Sequence, residues 1–72
     1  MKLGTLSKRA LYKELVGSIG YHDARRVVRF VDEGINENDD LDKLSSLLKE
    51  KGFDERQTQL ITETVKNLNL LG

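Results

Sequence analysis

The sequence predicts an all-α fold class: a small four-helix domain made of two packed helical hairpins. Apolar residues recur three and four positions apart through most of the chain, as on one face of a helix. Glycines at positions 20, 34 and 52 follow three of these stretches, and glycine readily adopts conformations that end a helix. The run from Val27 to Val31 is also typical of a strand, but the sequence offers it no partner strand.

A helix end and a helix start follow each other directly within residues 51–57, which read KGFDERQ. Gly52 can adopt the left-handed conformation that ends a helix, and Phe53 can then fold back onto the last turn. Asp54 is a suitable N-cap for the next helix, and Gln57 three residues later fits a capping box. Residues 19–23 repeat this order more loosely, so both helix pairs are predicted to follow one plan.

The first helix is predicted to begin at a cap formed by Thr5 or Ser7 and to run to about Ser18. Gly17 weakens its last turn, which predicts either a close helix contact or an early end, and Gly20 then closes it. Its apolar positions are Leu6, Leu11, Leu15 and Ile19, with Tyr12 and Val16 beside them.

The second helix is predicted from about Asp23 to Glu33, with Gly34 ending it and Ile35 packing back onto it. Its many β-branched residues are poor helix formers, so it depends on tertiary packing. One face is apolar and the other basic. The apolar face comprises Ala24, Val27, Val28 and Val31, with Phe30 at its edge, and the basic face comprises Arg25, Arg26 and Arg29.

Residues 36–40 form the one clear predicted loop. The Asn and Asp side chains of this loop could supply oxygen ligands to a calcium ion. Counted from Asp32 or Asn36, the glycine and glutamate of a calcium-binding loop are missing, so a helix-capping loop is preferred.

Two more helices are predicted after this loop, at about 40–51 and from about 55 to 68 or 69. Their predicted buried residues are Leu41, Leu44, Leu47 and Leu48, then Leu60, Ile61, Thr64 or Val65, and Leu68. The final Leu70 and Leu71 either close the base of the bundle, the preferred interpretation, or extend a contact surface.

The composition predicts one domain that spans residues 1–72 and has no catalytic constellation. No cysteine is present, so disulfides and thiolate zinc sites are excluded, and the single His22 favours a helix-corner role over a catalytic or metal-binding one. Neither a glycine-rich phosphate loop nor a nucleophile elbow occurs. We therefore expect no enzyme activity, no cofactor and no metal. Apolar runs are too short for a membrane span, so a soluble, intracellular, cytoplasmic protein is expected.

Charge is distributed unevenly along this chain, whose net charge is zero. Residues 1–30 carry seven basic and two acidic side chains, whereas residues 31–72 carry five basic and ten acidic ones. Such polarity can orient the molecule toward a charged partner or pair one copy with another. Alternatively, the two halves of the chain simply lie against each other.

Two resemblances point toward binding. The first depends on the order of residues 19–21, Phe30, residues 34–35, Leu44, Leu47, residues 52–53 and Ile61. This order resembles the spacing in sterile-alpha-motif interaction domains, although the tryptophan common in the first helix of that family is absent. Residues 47–71 are similar to a helical repeat of RecX-type recombination regulators, through the Lys-Gly-aromatic corner and the closing leucine pair. Both resemblances imply binding rather than catalysis.

The sequence thus predicts a non-enzymatic protein interaction or regulatory module that binds an acidic protein partner through a basic face on its first two helices. The predicted partner-binding residues are Lys8, Arg9, Lys13, Arg25, Arg26 and Arg29. The alternative is a helical nucleic-acid-binding domain whose basic face contacts phosphates. Against it, the chain is neutral overall and its aromatic residues are not interleaved with the basic ones in the sequence. Self-association between the basic and acidic halves is a third hypothesis.

Overall fold

The computed structural model describes residues 2–71, which contain four α-helices and no strand. The helices are α1 (Thr5–Ile19), α2 (Tyr21–Gly34), α3 (Leu41–Glu50) and α4 (Glu55–Asn67). α1 packs on α2, α3 packs on α4, and α1 also contacts α4, which joins the two hairpins. The predicted all-α class and its two helical hairpins are confirmed. The strand alternative for residues 27–31 is wrong, because these residues lie inside α2.

A single residue, Gly20, connects α1 to α2. Its φ of +88° is favourable only for glycine, its N–H donates to the Val16 carbonyl at 3.1 Å, and its carbonyl accepts from the Ala24 N–H at 3.0 Å. The same residue therefore ends α1 and begins α2. α2 starts two residues earlier than predicted, at Tyr21, because Gly20 is its N-cap.

Three expectations for α1 are wrong. Its N-cap is Gly4, which has no side chain to donate or accept a capping bond. Leu6 is 80% exposed, because it lies about 140° around the helix from the buried Leu11. Gly17 neither ends the helix nor permits a close contact, since no neighbouring atom lies within 4 Å of the place where its Cβ would be.

The corner between α3 and α4 has the predicted structure. Gly52 has a φ of +99°, and its N–H donates to the Lys49 carbonyl while the Phe53 N–H donates to the Leu48 carbonyl, both at 3.1 Å. These two bonds form a Schellman motif, with Phe53 only 8% exposed behind it. The predicted capping box at the start of α4 is also present. The Asp54 carboxylate accepts from the Gln57 N–H at 2.8 Å, and the Gln57 side chain accepts from the Asp54 N–H at 3.3 Å.

The loop between α2 and α3 is organised by its own side chains. The Asn36 N–H donates to the Asp39 carboxylate at 2.9 Å, and Asp40 caps α3 by accepting from the Lys43 N–H at 2.9 Å. Ile35 before the loop is fully buried, as predicted. Asp39 therefore closes the loop through a side-chain to backbone bond, and Asp40 is the helix cap.

The end of α4 repeats the Schellman arrangement with Asn69 in place of glycine, at a φ of +58°. The Asn69 N–H donates to the Lys66 carbonyl at 3.0 Å and the Leu70 N–H to the Val65 carbonyl at 3.2 Å. This turn directs the chain back over the core, where Leu71 is 4% exposed. Closure of the base by the terminal leucines, the preferred interpretation, is confirmed for Leu71.

The core draws on all four helices. Its fully buried members are Leu11, Leu15, Ala24, Val27, Val31, Ile35, Leu44, Leu48, Ile61 and Val65. Four leucines predicted to be buried are only partly so: Leu41, Leu47, Leu60 and Leu68. No helix within residues 2–71 combines the length and the apolar character needed to cross a membrane.

Thr58 is buried among these apolar side chains, at 2% exposure, and its hydroxyl has no hydrogen-bond partner within the described residues. An unsatisfied buried polar group costs about 1–3 kcal/mol. Thr58→Val is therefore expected to increase the free energy of unfolding by about 1 kcal/mol, measured by urea denaturation. Thr62→Val is the matched control and should give no such gain, because the Thr62 hydroxyl already donates to the Thr58 carbonyl at 3.0 Å. A destabilised Thr58→Val variant would show that this hydroxyl is satisfied.

Candidate functional site

A groove of about 450 Å³ lies between α1 and α2. Both walls consist of residues three and four positions apart, which share one face of a helix. We call this surface the α1–α2 groove. Its lining residues are Lys8, Arg9 and Tyr12 from α1, and Tyr21, Arg25, Val28, Arg29, Asp32 and Glu33 from α2.

The groove brings together most of the predicted partner-binding residues. Lys13 lies outside it, in an adjacent hollow with Arg9, Tyr12 and Val16. Arg26 also lies outside it, although it shares a second hollow with Arg25 and Arg29. The four predicted residues that line the groove itself are Lys8, Arg9, Arg25 and Arg29.

Acidic side chains neutralise only some of these basic residues. The ion pairs join Lys8 to Asp32 at 3.4 Å, Arg26 to Asp23 at 3.1 Å, and Arg29 to Glu33 at 3.8 Å. Within residues 2–71, Arg9, Lys13 and Arg25 take part in no salt bridge. The groove therefore contains two arginines, Arg9 and Arg25, whose charges are available to a ligand.

Two tyrosines lie among the basic side chains of the groove. The rings of Tyr12 and Tyr21 meet edge to face with centroids 6.1 Å apart, and Tyr21 is 60% exposed. The Arg25 guanidinium lies 5.7 Å from the Tyr21 centroid and donates to the Tyr21 hydroxyl at 3.2 Å. The expectation that aromatic residues lie apart from the basic ones is therefore wrong for the folded chain. The four-residue spacing of Tyr21 and Arg25 could have predicted their contact, because it places both on one face of a helix.

Arg26 has a different environment, at the junction of the two hairpins. Its guanidinium lies 5.2 Å from the centroid of the Phe53 ring and donates to the Lys51 carbonyl at 3.5 Å. The Lys51 ammonium in turn lies 6.0 Å from the centroid of the Phe30 ring. These contacts link α2 to the corner between α3 and α4, so Arg26 contributes to packing as well as to the basic surface.

Asp32 anchors the start of the chain to one end of the groove. Its carboxylate accepts from the Leu3 N–H at 2.7 Å and pairs with the Lys8 ammonium at 3.4 Å. The Leu3 hydrogen bond, which outweighs partial desolvation and is assisted by Lys8, holds the pKa of Asp32 below its usual value. Because the bond joins residues 29 positions apart, no local sequence pattern predicted it.

The lowered pKa of Asp32 predicts a pH dependence of stability. Its carboxylate stabilises the folded state fully above the unfolded-state pKa of about 4, and this contribution is lost as the pH falls through the folded-state pKa. We expect Asp32→Asn to lower the urea midpoint at neutral pH and to reduce the loss of stability between neutral and acidic pH. Equal pH dependence in the variant and the natural chain would contradict this assignment.

The two hairpins differ in charge. Residues 2–34 carry seven basic and four acidic side chains, whereas residues 35–71 carry five basic and eight acidic ones. Two ion pairs do join the first 30 residues to later ones, but they end at Asp32 and Glu33 in the last turn of α2. No salt bridge within residues 2–71 connects α1 or α2 to α3 or α4. Among the described residues, direct pairing of opposite charges is therefore confined to the first hairpin.

His22 lies exposed in the first turn of α2 and forms no hydrogen bond to Asp23 within the described residues. No group of three or more His, Cys, Asp or Glu side chains in residues 2–71 is placed to hold a metal ion.

A scan against protein-family models, a search of curated proteins and a search of solved structures each found no match. The two resemblances noted in the sequence gain no support from these comparisons.

Proposed function

We propose that this chain is a non-enzymatic interaction module whose α1–α2 groove binds an acidic segment of a protein partner. The observation that supports this function most strongly is the presence of four basic side chains on one groove, two of them without an acidic partner in residues 2–71. Tyr12 and Val28, both partly buried, supply apolar surface to the same groove. Basic side chains beside apolar surface are typical of grooves that bind peptides.

The chemistry of the groove defines its ligand. Arg9 and Arg25 can each bind a carboxylate through paired N–H donors, which lysine cannot do. Lys8 and Arg29 are each held by one surface ion pair that contributes little to stability, so a ligand carboxylate can replace their present partners. The ligand that fits best is a segment in which acidic residues flank an apolar one.

Charge reversal within the groove tests this proposal. Arg9→Glu/Arg25→Glu is expected to weaken binding of a short fluorescein-labelled peptide, in which glutamates flank a leucine, by about tenfold or more. Fluorescence anisotropy measures the affinity, and circular dichroism checks that helix content is retained. Both substituted residues are exposed, so the fold should tolerate the changes.

Lys43→Glu/Arg56→Glu provides a matched control. It changes the net charge equally, but the two residues are exposed in the first turns of α3 and α4, where glutamate suits the helix dipole. The control should change peptide affinity less than about twofold, because exposed charges are screened over roughly 8–10 Å. An equal loss of peptide affinity in both variants would mean that only net charge matters, and would contradict the assignment of the groove as the binding site.

Nucleic-acid binding is the second candidate, and the exposed Tyr21 ring beside Arg25 favours it. An aromatic face next to an arginine can stack a base while basic side chains contact phosphates. Under this hypothesis, Tyr21→Leu lowers the affinity for a short single-stranded oligonucleotide more than it lowers the affinity for the acidic peptide. Oligonucleotide affinity should also fall steeply with salt. No oligonucleotide binding at low salt would end this hypothesis.

A further inference from the structure

The second hairpin carries an exposed acidic segment. It lies in the loop before α3 and in the first turn of α3, and we call it the acidic edge. Its members are the exposed Glu37, Asp40 and Asp42 and the partly buried Asp39. None of these carboxylates forms a salt bridge within residues 2–71.

The structure of the loop holds part of this edge in place. Asp39 and Asp40 each accept one backbone N–H at 2.9 Å through one carboxylate oxygen, which leaves the other oxygen available as an acceptor. Glu37 and Asp42 are exposed and make no side-chain hydrogen bond within the described residues. Leu41 lies between these acids and is partly buried, in a shallow hollow between α3 and α4. Acidic residues that flank an apolar one are the ligand type inferred for the groove.

We infer that the acidic edge of one copy of this chain binds the α1–α2 groove of another copy. The inference rests on the proposed function of the groove and names its partner. The charge complementarity is not satisfied within one copy, because no salt bridge among the described residues connects the first hairpin to the second. A second copy supplies the opposite charge to each hairpin.

The groove and the edge are different surfaces, so this contact is heterologous. Each copy that binds through its groove keeps a free acidic edge, and copies therefore add head to tail into a chain unless the rotation closes a ring. The contacting charges are largely exposed, so the association is weak and sensitive to salt.

Two variants test the groove and the acidic edge separately. Arg9→Ala/Arg25→Ala neutralises the groove, and Glu37→Ala/Asp42→Ala neutralises the edge without removing the cap residue Asp40. Neutral replacements are used because reversed surfaces would attract each other. Lys49→Ala/Arg56→Ala is the control, because both residues are exposed and lie outside the groove and the acidic edge.

Sedimentation velocity on the full chain, at low and high salt, measures the outcome. The natural chain and the control should form species that grow with concentration at low salt and dissociate at high salt. Each variant alone should be monomeric, and an equimolar mixture should form heterodimers and nothing larger, because only one intact groove and one intact edge remain per pair. A monomeric natural chain at high concentration and low salt, or unchanged association in either variant, would overturn the inference.

The acidic-peptide assay distinguishes an absence of self-association from an absence of any binding at the groove. If the peptide binds the groove but the chain stays monomeric, self-association is wrong and the proposed function stands. If neither the peptide nor a second copy binds, both are wrong. The edge variant should bind the peptide as tightly as the natural chain does, since its groove is intact; weakened binding would contradict the separation of the two surfaces.

Discussion

Leu15→Ala is expected to lower the free energy of unfolding by about 3 kcal/mol. Leu15 is fully buried in α1, the helix that contacts both α2 and α4. Truncation removes transfer free energy and leaves a cavity that neighbouring helices fill only in part. A domain of this size has roughly 4–10 kcal/mol of stability in total, so a large share of it would be lost.

Leu6→Ala is the matched control, because it makes the same chemical change in the same helix at an 80% exposed position. Its effect should stay within about 0.5 kcal/mol, since surface substitutions contribute little. Urea denaturation followed by circular dichroism measures both variants. Equal shifts of the midpoint would mean that α1 is rotated about its axis relative to the described core.

Two glycine variants are expected to change stability in opposite directions. Gly52→Ala should cost about 1–2 kcal/mol, because a Cβ is unfavourable at the positive φ of +99°. Gly17→Ala should add about 0.5–1 kcal/mol, because alanine is the better residue in a helix. At neither position does any neighbouring atom lie within 4 Å of the added Cβ, so the contrast isolates backbone conformation from steric contact.

Thermal and urea unfolding midpoints check the glycine pair. Gly52→Asn serves as a partial rescue, since asparagine tolerates left-handed backbone and Asn69 already adopts a φ of +58° in the equivalent position after α4. It should be more stable than Gly52→Ala. A Gly52→Ala variant as stable as the natural chain would show that the Schellman turn at this corner does not need a glycine.

Local signals explain why most helix boundaries could be predicted. A capping box depends on Asp54 and Gln57, three residues apart, and a glycine turn depends on one residue and its neighbours. The start of α1 lacked such a signal, because Gly4 caps it without a side chain. The turn at Asn69 also has a local signal in the sequence, since asparagine is the usual substitute for glycine at this position.

The candidate site was predictable only in part, because its composition depends on how α1 and α2 face each other across Gly20. The arginines were identifiable from their number and helical spacing, but the place of Tyr12 and Tyr21 among them follows from the corner geometry. The packing of Arg26 on Phe53 depends on contact between the hairpins, which no local pattern encodes. The anchor between Leu3 and Asp32 involves a backbone N–H, which every residue other than proline provides.

A chemical-shift titration of the ¹⁵N-labelled chain with the leucine-containing acidic peptide locates the binding site residue by residue. The amides of Arg9, Tyr12, Arg25 and Val28 are expected to shift in a saturable manner, with smaller shifts as salt rises. A peptide with glutamine in place of glutamate should leave them unchanged. Shifts that are absent from these four residues, or that cluster on α3 and α4 instead, would contradict the assignment of the α1–α2 groove as the binding site.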